Sequence, residues 1–151
     1  SAASDVYKRQ EDGSVMTVFR YKEQHQSYPG RVHGGMITAM LDEMGLRSLW
    51  AKELSEETFG VTISLDTKYR KPVPYETELI GRGVVVKNTS HFIITDSYIM
   101  DKDGEILANG RIKYIKMDTQ KIQEGVEVHE EMPYLVEDGR TEIEGPFFDN
   151  L

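Results

Sequence analysis

The sequence predicts an α+β fold in which one long helix packs across an antiparallel sheet of about five strands. Residues 34–52 repeat apolar side chains at helical spacing, more strongly than any other segment of the body. The segments around it alternate apolar and polar residues, as half-buried strands do. Short turn sequences join most of these strands, and such connections imply antiparallel neighbours. A single long helix then buries its apolar stripe only by lying across the sheet.

The boundaries of the predicted strands follow from local composition. The first strand is the β-rich stretch "SVMTVFRYK", and a loop with serine, proline and glycine separates it from the helix. After the helix, "VTISLDTKYR" alternates clearly and Pro72 ends it. The turn sequences "NTS" and "DKDG" separate the last three strands. The five predicted strands cover residues 14–22, 61–70, 77–87, 91–100 and 105–117.

The composition is that of one globular domain with a hydrophobic core. The chain has 151 residues, no cysteine and no apolar run of membrane-spanning length. Disulfides and thiolate metal sites are therefore excluded, and the scattered histidines at positions 25, 91 and 129 indicate no metal site. There is no signal-peptide pattern and no basic face or nucleic-acid-binding motif. We expect a soluble, cytoplasmic protein that binds neither nucleic acid nor membrane.

Three regions are expected along the chain. Residues 1–10, "SAASDVYKRQ", match the translation of an adaptor used in transposon-based sequencing libraries, which suggests a fragmentary metagenomic gene. An ordinary flexible N-terminus is the alternative, and either interpretation leaves these residues out of the fold prediction. Residues 11–118 form the predicted domain. Residues 119–151 form an acidic extension, in which "HEEMPYLVEDG" is a short helix or covers a sheet edge, and the final apolar residues (Phe147, Phe148 and Leu151) dock on the body or on a partner.

The acidity of the chain is concentrated in this extension. The net charge is −8, and residues 119–151 hold nine acidic but only two basic residues. The body is therefore close to neutral. A neutral body does not strongly repel an anionic ligand.

The start of the predicted helix has the features of an oxyanion-binding site. "HGG" precedes the apolar pattern, and a helix N-terminus carries unpaired N–H groups and partial positive charge. Glycine allows a ligand to approach that backbone closely, which suits the carbonyl oxygen of an ester or thioester. The alternative is that Gly34 and Gly35 only permit tight packing of the helix on the sheet.

Asp42 interrupts the apolar pattern of the same helix. A desolvated carboxylate among Met40, Leu41 and Met44 suits general-base or nucleophilic chemistry. Asp42 follows Gly34 by eight residues, which is roughly 12 Å along a helix. A carbonyl held at the helix tip is out of reach of that carboxylate. Either the two features are unrelated, or a second subunit supplies one of them.

Three stretches together resemble a known family. "HQSYPGRVHGGMITAMLDEMG", "GVTISLDTKYRKPV" and "DKDGEILANGRIKYIKM" are similar to the hotdog-fold acyl-CoA thioesterases of the phenylacetate-pathway and four-hydroxybenzoyl-CoA type, over about residues 14–118. The resemblance implies a long helix wrapped by a curved antiparallel sheet. It also implies a homodimer, possibly paired into a tetramer, with active sites at the dimer interface. The implied substrate is an acyl-CoA thioester, with no separate cofactor because CoA is part of the substrate.

The resemblance also implies roles for individual residues. Gly34 corresponds to the residue whose N–H polarises the thioester carbonyl, and Asp42 of the opposite subunit to the carboxylate that attacks or activates water. His33 shapes the loop or touches the thioester, and Thr62 holds the water or nucleophile. Ser27 stands where many relatives carry asparagine or glutamine facing the carbonyl. The predicted substrate-binding residues are Ser27, Gly35, Lys68, Arg70, Lys71 and Arg82, the last four as contacts for the CoA phosphates.

Each role has a structural alternative. His33 also fits a helix-capping network, Thr62 an ordinary strand position and Ser27 loop chemistry. Lys68, Arg70, Lys71 and Arg82 also fit a solvated sheet edge. At the level of function, the sequence predicts acyl-CoA hydrolysis. The alternatives are an acyl-CoA-binding sensor without hydrolysis, and an enoyl-CoA hydratase or dehydratase that uses His33 and Asp42 as an acid/base pair.

Overall fold

One long helix lies across one face of an antiparallel sheet, as predicted. The computed structural model describes residues 6–51, 58–118 and 136–146 of the chain. The helix is α1 (Gly34–Ala51). The strands are β1 (Lys8–Arg9), β2 (Val15–Phe19), β3 (Thr58–Tyr69), β4 (Leu79–Asn88), β5 (Phe92–Asp101) and β6 (Ile106–Asp118). A short 3-10 helix (Glu23–His25) lies in the predicted loop before α1.

The sheet has six strands rather than about five. The additional strand, β1, lies in the segment that was left out of the fold prediction, where it pairs antiparallel with β2. The five predicted strands are confirmed, with small shifts at their ends. The start of β3 moves from residue 61 to Thr58, because Thr58–Gly60 pair with the last residues of β6.

The order of strands in the sheet is β1-β2-β4-β5-β6-β3, so the long strand β3 forms an edge. A bulge between Thr62 and Ser64 interrupts its pairing with β6. Three large hydrophobic side chains are exposed on this edge strand: Val61 at 38%, Ile63 at 49% and Tyr69 at 55%. A long edge with exposed apolar residues is a template for pairing with another strand.

The core lies between α1 and the inner face of the sheet. Leu41, Met44 and Leu49 are fully buried on the helix side. At Gly83 of β4, a Cβ would lie 2.2 Å from the Met44 carbonyl oxygen, so glycine is needed for the helix backbone to approach the sheet. The residues that the sheet and its flanking loops contribute to the core include Val73, Leu79, Ile93, Ile99, Ile112 and Tyr114.

Little of the acidic extension belongs to the described structure. Residues 136–146 form neither helix nor strand. The predicted short helix at 129–139 lies mostly outside the described residues, and Phe147, Phe148 and Leu151 lie wholly outside them. Within the described ranges, no helix combines the length and apolar character needed to span a membrane.

Candidate active site

The N-terminus of α1 is capped by the preceding residue, His33. The His33 carbonyl accepts hydrogen bonds from the N–H groups of Met36 and Ile37, at 3.0 and 3.2 Å. Its ring Nδ1 accepts one from the Gly35 N–H at 2.9 Å. The ring thus acts as a side-chain N-cap, a role that the sequence also allowed. The Gly35 N–H is occupied, whereas the Gly34 N–H makes no hydrogen bond to any described residue.

Tyr69, the last residue of β3, packs on this end of the helix. Its hydroxyl donates to the Gly34 carbonyl at 3.0 Å and lies 2.7 Å from the Thr38 hydroxyl. A Cβ at Gly34 would lie 3.4 Å from the Tyr69 hydroxyl oxygen, so a methyl group there would just touch it. These contacts tie the start of α1 to the end of the edge strand. We call this region, Gly34 with its cap His33, the tip site.

A cleft of about 370 Å³ opens at the tip site. Four predicted site residues line it: Ser27, Gly34, Arg70 and Lys71. Arg31 also lines it, although the sequence pattern did not predict a role for it. Arg70 Nε donates to the Asn109 side chain at 2.5 Å and Lys71 pairs with Glu105, whereas the Arg31 guanidinium has no partner among the described residues. A backbone N–H and three cations around one cleft suit a ligand with a polarised carbonyl and anionic phosphates.

Asp42 lies half-buried in the middle of α1, where two hydroxyl groups hold its carboxylate. Its Oδ1 accepts a hydrogen bond from the Thr62 hydroxyl at 2.9 Å and another from the Tyr114 hydroxyl at 3.0 Å. The same Tyr114 hydroxyl is 3.0 Å from the Asp42 carbonyl oxygen. We call these three residues the carboxylate site. The structure therefore brings the predicted site residues Asp42 and Thr62 into contact, and it adds Tyr114, which the sequence did not indicate.

The register of the sheet explains why Thr62 and Tyr114 meet at Asp42. They are directly paired across β3 and β6, next to the bulge. Cross-strand partners point to the same face of a sheet, so both hydroxyls face the helix. Alternation along "RIKYIKM" signalled a buried tyrosine in β6, and a buried tyrosine hydroxyl needs an acceptor. The identity of that acceptor depends on helix placement, which the sequence pattern does not contain.

Tyr114 acts as a donor over the whole physiological pH range. Its side chain is fully buried. Burial, and after it the charge of Asp42, raise the pKa of Tyr114 above its ordinary value, because both disfavour a second negative charge. The hydroxyl therefore keeps its proton and donates it toward Asp42.

Lys68 and Arg82 lie away from the tip site. Arg82, Tyr98 and Asn109 are successive partners across β4, β5 and β6, and Lys68 pairs with Asn109 from β3. This row faces away from α1. Arg82 forms an ion pair of 3.1 Å with Asp12, and its guanidinium lies 5.5 Å from the Tyr98 ring centroid. Arg70, which borders the cleft, also reaches this row through Asn109, whereas Lys71 pairs with Glu105. The four predicted cations therefore do not form one cluster.

The tip site and the carboxylate site are separated within one chain. Both are on α1, and eight residues of helix place Gly34 and Asp42 roughly 12 Å apart along the axis. Neither site holds a metal-ligand set: in the described part of the chain, no group of three or more histidine, aspartate or glutamate residues is arranged to bind a metal ion. Within one chain, the tip site and the carboxylate site are therefore two separate groups of residues.

The chain is similar in sequence and in fold to known thioesterases. The family model of the thioesterase superfamily matches residues 29–108, more than half of the chain. Human acyl-coenzyme A thioesterase 13 is 23% identical over 100 residues, which cover 66% of this chain and 70% of the human protein.

Solved structures show the same arrangement of helix and sheet. The crystal structure of a thioesterase superfamily protein is 26% identical with a TM-score of 0.64, covering 72% of this chain and 54% of that one. This chain thus spans about half the length of that relative. A hypothetical thioesterase of Streptococcus pneumoniae, crystallised with coenzyme A, is 19% identical with a TM-score of 0.65, covering 74% of this chain and 84% of that one.

Proposed function

Because this chain belongs to the thioesterase superfamily, we propose that it hydrolyses an acyl-CoA thioester to a carboxylic acid and free CoA. The observation that carries the proposal is the half-buried Asp42 carboxylate, which two hydroxyls hold on a helix whose first N–H, that of Gly34, is bonded by no described residue. The names of two relatives support the substrate class, since one is an acyl-coenzyme A thioesterase and the other was crystallised with coenzyme A.

In the proposed reaction the tip site receives the thioester carbonyl. The Gly34 N–H and the positive end of the helix dipole stabilise the negative charge that develops on the carbonyl oxygen. His33 acts indirectly, since its ring is engaged in capping and holds the first turn in place. The phosphates of CoA lie toward Arg31, Arg70 and Lys71 at the cleft. Contacts of the substrate with Ser27 at the cleft and with Gly35, Lys68 and Arg82 remain predictions.

Asp42 promotes attack on the carbonyl carbon by one of two routes. As a general base, it takes a proton from water while the water oxygen attacks the carbonyl carbon. As a nucleophile, it attacks that carbon itself and forms an anhydride, which water then hydrolyses. In both routes the carbon–sulfur bond breaks, the sulfur leaves as a thiolate and takes up a proton, and one water molecule is consumed. Thr62 holds the carboxylate in either case.

The proposed active site needs two copies of the chain. The edge strand β3 carries Thr62 near one end, beside Asp42, and Tyr69 at the other end, on Gly34. A two-fold axis perpendicular to the strands, pairing two copies of β3, makes them antiparallel. The Thr62 end of one strand then lies along the Tyr69 end of the other. Asp42 of one subunit and Gly34 of its partner are thereby brought to the same region, which supports a homodimer with shared sites.

Release of thiol from acyl-CoA substrates tests the proposal directly. We expect the protein to release CoA from at least one member of a panel of short, long and aromatic acyl-CoAs. Asp42→Asn should lower turnover by orders of magnitude, because it removes the base or nucleophile and keeps the shape. Glu43→Gln is the matched control: Glu43 is the adjacent carboxylate, but it pairs with Arg47 at 2.7 Å and takes no part in the site.

Three outcomes would contradict the proposal. Unchanged turnover in Asp42→Asn would remove Asp42 from the mechanism. Tight acyl-CoA binding without thiol release would favour a sensor. Addition of water to an enoyl-CoA without CoA release would favour a hydratase.

A further inference from the structure

The hydroxyl of Tyr114 lies beneath the middle of α1 and approaches Asp42 at two atoms. It is 3.0 Å from the Asp42 carbonyl oxygen and 3.0 Å from Oδ1. The ring is fully buried and packs in a core cluster with Leu49, Ile93 and Ile112. Since packing fixes the ring, the hydroxyl is a rigid anchor for this part of the helix.

Gly45 leaves the space that the Tyr114 hydroxyl occupies. It follows Asp42 by three residues, and therefore lies on the same side of α1. A Cβ at Gly45 would lie 2.2 Å from the Tyr114 hydroxyl oxygen and 2.7 Å from Thr95 Oγ1. No side chain tolerates such distances, so glycine at this position is what allows the hydroxyl to reach Asp42.

The two oxygens of the Asp42 carboxylate have different surroundings. Oδ1 accepts hydrogen bonds from both Thr62 and Tyr114. No described residue donates to Oδ2. Two donors on one oxygen restrict rotation of the carboxylate, which leaves Oδ2 as the oxygen available to a reacting molecule.

We infer that Tyr114 is a positioning residue: it holds Asp42 Oδ1 from the core, so that Oδ2 is the oxygen that supplies the electron pair. This inference rests on the proposed function of Asp42. In the general-base route Oδ2 takes the proton of the attacking water, and in the nucleophilic route Oδ2 forms the new bond to carbon. Tyr114 keeps its own proton throughout and touches no substrate atom.

The pH dependence of turnover can report on Asp42, because most of the groups packed around it do not change charge. On α1, the neighbouring charged residue is Glu43, which forms an ion pair with Arg47. At this level of the helix, β4 presents glycines, Gly81 and Gly83. Strands β3, β5 and β6 present hydroxyl groups, those of Thr62, Thr95 and Tyr114. Removing a hydrogen-bond donor from a carboxylate favours its protonated form, so loss of the Tyr114 hydroxyl should move the acid limb of the pH profile upward.

The test compares Tyr114→Phe with Tyr21→Phe. Tyr21 is the matched control because its buried hydroxyl also donates to a carbonyl of α1, that of Met36, at 2.9 Å, but bonds no carboxylate of the described residues. In Tyr114→Phe we expect kcat to fall about 10- to 100-fold with little change in KM, since orientation is lost and substrate binding is kept. The low-pH side of the kcat profile should move to higher pH, because the carboxylate has lost a hydrogen-bond donor. Tyr21→Phe should leave both readouts unchanged.

The inference is overturned if Tyr114→Phe changes neither kcat nor the low-pH side of the kcat profile. It is also overturned if Tyr21→Phe changes both by the same amount. If the phenylalanine variant does not fold, Tyr114→3-fluorotyrosine keeps the ring and makes the hydroxyl a stronger donor. The acid limb should then move to lower pH, and an unmoved limb overturns the inference.

A titration of the Asp42 carboxyl carbon by NMR, assigned with Asp42→Asn, separates failure of this inference from failure of the proposed function. This titration measures the effect of Tyr114 on Asp42 and does not require the protein to turn over a substrate. A chain that releases no thiol from any acyl-CoA would contradict the proposed function alone. An Asp42 titration midpoint that is the same in wild type and in Tyr114→Phe would contradict the inference.

Discussion

The tip site and the carboxylate site lie on the same helix but are built from different groups. The tip site uses the backbone N–H of Gly34, and its supports come from the first turn, from the preceding residue His33 and from Tyr69. The carboxylate site uses side chains from three separate segments of the chain, which meet only because of the sheet register. The tip site therefore depends on local backbone geometry, and the carboxylate site depends on tertiary packing. Variants of the two halves should therefore fail in different ways.

The largest effects on turnover are expected from variants that disable either the tip site or the carboxylate site. Gly34→Pro removes the N–H at the first position of the helix, where proline is otherwise well accommodated. We expect it to lower kcat by about 10²–10³-fold, the usual cost of losing one oxyanion donor. Gly34→Ala is the control: it adds a methyl group at 3.4 Å from the Tyr69 hydroxyl but keeps the N–H, so most activity should remain.

Mixing the two disabled variants tests whether the halves of one site come from different subunits. A heterodimer of Gly34→Pro and Asp42→Asn has one complete site if the halves are shared, and none if each chain supplies its own. Random mixing should thus restore about a quarter of wild-type turnover, because about half of the dimers are mixed and each has one working site. Thiol release that stays at the level of the separate variants would show that the sites are not shared.

A smaller effect, on stability, is expected at the point where packing builds the carboxylate site. Gly45→Ala gains about 1 kcal/mol of helix propensity, but its methyl group would lie 2.2 Å from the buried Tyr114 hydroxyl oxygen. Overpacking of this kind costs about 1–3 kcal/mol, so we expect net destabilisation by urea unfolding. In the Tyr114→Phe background the clash with the hydroxyl is gone, and the cost of Gly45→Ala should shrink. If the destabilisations of Gly45→Ala and Tyr114→Phe simply add in the double variant, the result would contradict this contact.

The difference between local geometry and tertiary packing also explains how much of the site the sequence could predict. Helical spacing and strand alternation located α1 and five strands, because both patterns are local. The glycines after His33 marked the tip site for the same reason, and Asp42 stood out as an acid in an apolar stripe. Tyr114 was missed because its partner lies 72 residues away, and that contact follows from sheet register and helix placement together. Arg31 was missed because nothing local separates it from other charged loop residues.

The smallest effects are expected among the cations, which the sequence grouped together and the sheet separates. If the phosphates of CoA lie at the cleft, Arg31→Gln and Lys71→Gln should raise KM about two- to fivefold, the range expected for exposed charge pairs. Lys68→Gln and Arg82→Gln serve as controls on the other face, because their row points away from α1. The effect at the cleft should shrink when ionic strength is raised to about 0.5 M, since exposed charges are screened. An equal rise in KM for both pairs would mean that the bound coenzyme also reaches the outer face of the sheet.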